Sequence, residues 1–299
     1  MKKFHMRTFK LIILLTVISL TTVNGQKNVV HYISDQGELK TTIKIPNLSD
    51  TLKIMQITDS HISIADESEA EYMKYGERMH KAYMYPRKHY SLDTSETTFA
   101  YLDDLLLKAK REKTDLLLLT GDIVNFPSVV SVKYVVDRVM KTGIPWLYIS
   151  GNHDWHYEGM EGSLDSLRKT WTERSLLPFY KGLNPLFYSE IIDGINFVGI
   201  DNSTNQVNEK QVGFLKEQLK KEEPVILLSH IPYDLNNNGR SQPRMISIID
   251  VISSNTDKIV AIIAGHVHRS GYYFTGNLCQ YTSLPAFQGA ALTISAIPY

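Results

Sequence analysis

Six apolar runs of strand length, residues 52–57, 116–119, 146–149, 195–200, 225–228 and 259–264, each stop abruptly at a polar loop. Runs this short and this uniformly apolar read as strands buried on both faces. Between them lie helical patterns. Phe99, Leu102, Leu106 and Ala109 share one helical face, as do Val132, Val135, Val136 and Val139, with Gly143 as a stop. Leu164, Leu167 and Trp171, then Val212, Leu215 and Leu219, then residues 245–252, give three more. Strands alternating with helices dictate an α/β fold whose helices cover sheet faces. After His268, residues 272–274, 278–282 and 291–295 read as short strands with no helices between them, so the sheets are expected to be mixed. No repeat, low-complexity tract or long linker divides residues 26–299, which read as one domain.

The loops after these strands carry the chemistry. They contain Asp59-Ser60-His61, Gly121-Asp122, Gly151-Asn152-His153-Asp154, His230 and Gly265-His266-Val267-His268. Ligands of open α/β sheets bind beyond the carboxyl ends of strands, so five such loops can meet in one crevice. The pairs Asp59/His61 and His266/His268 are spaced i, i+2, which puts both side chains on one face of an extended segment. Carboxylate and imidazole without thiolate suit Mn, Fe or Zn, not calcium. Asp59, His61, Asp122, Asn152, His230, His266 and His268 are too many for one tetrahedral ion, so two divalent metal ions are the natural count, with Asp122 able to bridge them.

Composition narrows the partners. Lys+Arg and Asp+Glu each number 32, but four of the bases, Lys2, Lys3, Arg7 and Lys10, fall in residues 1–25, which hold no acid. The remainder is slightly acidic, which argues against a broad nucleic-acid-binding face. Those four bases precede an apolar run at residues 11–20 and the small, polar stretch at 21–25, the three parts of a signal peptide. The mature chain is therefore expected to begin near Gln26, without a membrane anchor, and to work in the periplasm or outside the cell. The single cysteine, Cys279, cannot form an internal disulfide and reads as a small buried residue.

Taken in order, the five loops resemble the motif blocks of the calcineurin-like metallophosphoesterase superfamily, over residues 59–268. The resemblance implies a four-layer α/β/β/α sandwich. It assigns Asp59, His61, Asp122 and His268 to one metal, and Asp122, Asn152, His230 and His266 to the second. It makes His153 the catalytic histidine. Two departures from particular branches narrow the reading. Asn125 stands where purple acid phosphatases carry a tyrosine ligand, and the Asp-Arg-Gly of the protein Ser/Thr phosphatases is replaced by Ile123-Val124-Asn125, with Asp154 in place of their Glu.

The activity so implied is hydrolysis of small phosphodiesters or phosphomonoesters by a metal-activated hydroxide. His153 would assist the leaving group and Asp154 would orient His153. The alternatives are a non-catalytic metal-binding protein of the same fold, and a metal-dependent nuclease. Residues 71–90 hold Tyr72, Tyr75, Tyr83, Tyr85 and Tyr90 among five bases, directly after a ligand pair. They form either a wall or lid over the metals or an insert packed on the outside of the sandwich.

Overall fold

The computed structural model describes residues 17–18, 29–33, 39–157, 159–235 and 243–299. Two mixed sheets pack face to face. The first has the strand order Val17–Ile18, Val30–Ile33, Lys40–Ile45, Leu292–Pro298, Leu52–Ile57, Leu116–Leu119, Trp146–Tyr148. The second runs Gly271–Thr275, Leu278–Thr282, Ile259–Ala264, Val225–Leu228, Ile195–Ile200, Phe187–Ile192. Helices Thr98–Arg111 and Val129–Thr142 cover the first sheet, and Glu209–Gln218 and Pro243–Ser253 the second. The result is the expected α/β/β/α sandwich.

All the apolar runs form strands, and the two three-strand groups that matter are parallel. Leu52–Ile57, Leu116–Leu119 and Trp146–Tyr148 run together, as do Ile195–Ile200, Val225–Leu228 and Ile259–Ala264. Parallel strands release their following loops at the same sheet edge, which is how residues 200 positions apart in sequence become neighbours. The outer strands Gly271–Thr275 and Phe187–Ile192 are antiparallel to their neighbours. Local chemistry sets the helix ends. Thr97 accepts from Ala100 N–H, Asn208 and Gln211 form a reciprocal capping box, and Gly143, at φ 72°, ends Val129–Thr142 in a left-handed turn that suits glycine.

The structure adds elements that the sequence does not announce, among them strands Val30–Ile33, Lys40–Ile45 and Phe187–Ile192. Helix Ala70–Tyr83 and the ribbon Arg87–Lys88 with Ser95–Glu96 occupy the 71–90 insert and its flank. A π-helical turn, Thr172–Leu176, joins Leu164–Trp171 to Leu177–Tyr180. The proposed signal peptide lies outside the described residues except for Val17–Ile18, which pair antiparallel with Tyr32 and His31. Among the described residues, no helix is long and apolar enough to cross a membrane.

Candidate metal centre

The loops that follow the parallel strands do not continue as ordinary turns. Asp59, His61, Asp122, His266 and His268 all have positive φ, between 50° and 68°. A non-glycine residue in that region costs on the order of 1–3 kcal/mol and persists only where its surroundings enforce it. The enforcement is visible. Asp59 N–H donates to Gly121 O (3.0 Å) and His61 N–H to Asp122 O (2.9 Å), lacing the first loop to the second. Glycines permit this closeness. A Cβ on Gly151 would collide with the Asp122 carboxylate, and one on Gly265 with the Thr58 hydroxyl.

Two triads result. Ligand atoms of Asp59, His61 and His268 lie within 4.8 Å of one another, as do those of Asp122, His230 and His266. His61 Nε2 is 3.9 Å from both Asp59 Oδ1 and Asp122 Oδ2, and His230 Nε2 is 3.2 Å from the same Asp122 Oδ2. His268 Nε2 lies 3.1 Å from Asp59 Oδ1. With metal–ligand bonds of ~2.0–2.2 Å, donors around one ion sit roughly 3–4 Å apart, which is the spacing found here. Three buried atoms of the proposed ligands lack any hydrogen-bond partner, His61 Nε2, Asn152 Oδ1 and His230 Nε2. Buried polar atoms are rarely left unpaired, so all three fit a role as metal donors. Six of the sequence-predicted ligand residues form these two triads, and Asn152 borders a cavity together with His266.

Neighbouring groups decide which atom of each residue faces inward. His230 Nδ1 lies 2.8 Å from Thr120 O, a carbonyl that can only accept, so Nδ1 carries a proton and Nε2 is the atom that faces Asp122. His61 Nδ1 donates to Asn125 Oδ1 (2.8 Å), whose amide in turn donates to His61 O (3.1 Å), fixing the same tautomer. Asp59 Oδ2 accepts from Thr58 Oγ1 (2.6 Å) and His266 N–H (3.0 Å), leaving Oδ1 to the triad. Asp122 Oδ1 accepts from His153 N–H (2.8 Å), leaving Oδ2 between His61 and His230.

Charge balance follows from this packing. Burial would raise the Asp122 carboxyl, but His230, His153 and His61 around it hold it well below the carboxylate range. Burial dominates at His61 and lowers it to about 4, so the ring is neutral. His230 is pushed up to about 10 despite burial, because Asp122 and then Asp59 favour its cation.

The expected pairing of Asp154 with His153 is not found. Asp154 accepts from Asp122 N–H (3.0 Å), Val124 N–H (2.9 Å), Gly151 N–H (2.7 Å) and Tyr148 Oη (2.8 Å). Four donors fill its oxygens and turn it into a clamp between the 121–124 and 151–154 loops, while His153 Nδ1 is buried without a hydrogen-bond partner. Burial and the nearby Asp122 carboxylate raise the Asp154 carboxyl to about 7. Asp201, after strand Ile195–Ile200, starts a turn by accepting from Ser203 N–H (2.8 Å) and Oγ (2.6 Å).

One wall of the cleft comes from the insert. Tyr83, the last residue of helix Ala70–Tyr83, stacks on His61 with ring centroids 4.1 Å apart and planes at 4°. Phe287 lies 4.8 Å from Tyr83 and 5.2 Å from His268, centroid to centroid. The helix is anchored on the sandwich. Glu69, just before it, accepts from Val129 N–H (3.0 Å) and Val130 N–H (3.3 Å), and Gly76 rests against Phe126 O, where a Cβ would collide. The insert is therefore both packing and wall, which resolves the two alternatives left open by the sequence. Thr58 and Phe287 carry no sequence signal that marks them as parts of the site, whereas Asn125 stands out only as a departure from a tyrosine ligand and Tyr83 only as one of five tyrosines in the insert.

Comparison with known proteins agrees with this arrangement. A family model described as calcineurin-like phosphoesterase matches residues 52–270. A probable glycerophosphodiester phosphodiesterase GpdQ of Arcobacter nitrofigilis is 24% identical over 176 residues, 53% of this chain and 58% of that relative. The match thus spans little more than half of the relative's length. In fold, the chain is similar to a dimetal phosphatase from Danio rerio, with TM-score 0.50 and 15% identity over 82% of this chain and 92% of that one. It is also similar to a purple acid phosphatase from yellow lupin (Lupinus luteus) seeds, with TM-score 0.53 and 14% identity over 88% of this chain and 50% of that one.

Proposed function

This chain belongs to the calcineurin-like phosphoesterase family, and from that premise we propose that it is an exported, dinuclear-metal-dependent hydrolase of small phosphodiesters or phosphomonoesters. The observation that carries this reading is the position of Asp122 Oδ2, 3.9 Å from His61 Nε2 and 3.2 Å from His230 Nε2, between the two triads. Asp59, His61, Asp122 and His268 would hold one ion, and Asp122, Asn152, His230 and His266 the other. Oxygen and imidazole donors without thiolate suit Mn, Fe or Zn. Two divalent ions so held would supply positive charge for a phosphoryl group and the means to activate water near neutral pH.

The chain's own residues do the rest. The His153 main chain orients Asp122, and its half-buried ring stands beside the His61 ring, centroids 5.4 Å apart, on the cleft. From there it would deliver a proton to the leaving alkoxide, the costly product with unactivated alcohols. Asp154 acts at one remove, by clamping the loops that carry Asp122 and His153. Tyr83 and Phe287 keep water from one side of the cleft and present aromatic surface to an organic substituent. The relative named as a glycerophosphodiester phosphodiesterase supports diesters among the substrates. The basic, apolar and small-residue order of residues 1–25 supports export to the periplasm or beyond.

The test combines metal content with turnover. Protein loaded with Mn, Fe or Zn should approach two metal equivalents and hydrolyse paired mono- and diesters. Asp122→Asn should weaken both sites together. A firm single equivalent at saturating metal, or loss of only one ion in Asp122→Asn, would overturn the bridging role.

A further inference from the structure

At the end of the cleft away from Tyr83, Asn152 and His266 border a cavity of about 340 Å³ walled by Trp155, Leu164, Ser203 and Ile231. It shares Thr204 with a second cavity of about 890 Å³. Leu164 of the smaller cavity and Asp165 of the larger are consecutive residues on helix Leu164–Trp171. The two cavities therefore adjoin, the smaller bordered by two of the proposed metal ligands and the larger with a volume in the range of small-molecule sites.

Resting on the phosphoesterase reading, we propose that the larger cavity receives an organic substituent of the phosphodiester, and that it selects an uncharged, hydroxyl-bearing group of sugar or nucleoside size. The lining argues for that chemistry. Arg168 is only 7% exposed, and its Nη2 donates to Asp165 Oδ1 (2.9 Å). Its Nη1 is 3.5 Å from Asp201 Oδ2, so the guanidinium is held by carboxylates, while Thr172, Thr204 and Asn208 supply uncharged polar groups to the same lining for a ligand hydroxyl.

The charges argue against a second anion. Asp165 and Asp201 already balance the Arg168 guanidinium, and Glu173 and Glu209 outnumber Lys169 along the rest of the lining. A further phosphate or carboxylate would lose its hydration there without gaining a counter-ion. Leu177, Pro185, Leu186 and Val207 supply apolar surface for carbon faces of the ligand. The wall is already in place. Gln211 Nε2 donates to Leu186 O (3.1 Å) and Asp201 O (2.6 Å), tying two sides of the cavity together, so little ordering is required on binding.

Three nitrophenyl diesters with one leaving group test this: methyl 4-nitrophenyl phosphate, thymidine 5′-(4-nitrophenyl) phosphate, and the latter bearing a 3′-phosphate. The metal-loaded wild type should favour the thymidine ester over the methyl ester by ~10-fold or more in kcat/KM, and the added 3′-phosphate should cancel that gain. Ser247→Trp and, separately, Gln206→Trp narrow the cavity from different elements without touching any proposed ligand. Either should abolish the thymidine preference while leaving the methyl ester within about twofold. No preference in the wild type, or equal losses for both esters in the variants, would overturn the cavity assignment while hydrolysis itself stood. Hydrolysis of none of the three esters with Mn, Fe or Zn would instead overturn the phosphoesterase reading, and this proposal with it.

Discussion

Tyr83 illustrates how far a single side chain outside the motifs governs them. Its ring lies parallel to His61 at 4.1 Å while Asn125 holds His61 Nδ1, so one ring is fixed both in plane and in rotation. Loss of such support for a ligand typically costs ~10–100-fold in metal affinity. Tyr83→Ala is expected to weaken the Asp59/His61/His268 site by ~10-fold and leave the other site nearly intact, whereas Tyr83→Phe should keep both. Stepwise Co(II) titration followed by absorbance reads the two sites separately, and an equal loss at both would point to general unfolding instead. The proposed ligands themselves were legible because each follows an apolar run, so that the strand announces the loop. The contacts of Asn125 and Tyr83 with His61 were not, because that partner lies 64 and 22 positions away and no periodicity links them. Asp154 was misassigned for a related reason. Adjacency to His153 in sequence suggested contact, but its oxygens go to main-chain donors as far off as Asp122.

Elements show the same division. Strands such as Leu116–Leu119 are apolar on both faces and could be read directly. Val30–Ile33 and Lys40–Ile45 could not, since an alternation such as Lys40-Thr41-Thr42-Ile43-Lys44-Ile45 buries only every second residue. Helix Ala70–Tyr83 escaped because its inward face is built from tyrosines and Gly76 in place of an aliphatic stripe. Strand Val30–Ile33 brings a titratable link to the second sheet. His31 Nδ1 accepts from Tyr281 Oη (2.6 Å), and Nε2 donates to Asn277 O (3.2 Å), so both nitrogens are satisfied only in the neutral ring. Burial lowers its pKa from 6.5 to about 4, against the main-chain bond to Asn277. The unfolded chain therefore binds a proton that the folded one refuses as pH falls from 6.5 to 4. That part of the stability is full above pH 6.5 and decays across this window by about 3 kcal/mol. His31→Gln, which cannot titrate, should flatten the slope of urea-unfolding free energy over the same window, and an unchanged slope would show that other groups dominate.

At the scale of the whole molecule, each triad draws on both sheets. Asp59 and His61 follow a strand of the first sheet and His268 one of the second. Asp122 follows the first, and His230 and His266 follow the second. Metal binding would then tie the sheets together, and a ligand present at ~100 times its dissociation constant stabilises the folded state by about 2.7 kcal/mol. Chelation should lower the melting temperature by about 5 °C or more, and Asp122→Asn should respond much less. The two ends of the cleft differ in a way that reaches beyond affinity. Tyr83 and Phe287 close the end at His61 and His268, while the end at Asn152 and His266 opens into the cavity beside Trp155. A cleft with one blocked and one open end is handed. The two unesterified oxygens of a phosphodiester, equivalent in free solution, become distinguishable inside it, because the organic substituent can point only one way. Substituting sulfur for one of them yields two mirror-related configurations at phosphorus, and the protein should cleave one faster by ~10-fold or more. Equal rates for the pair would mean that a substituent can enter from the Tyr83 side as readily as from the other.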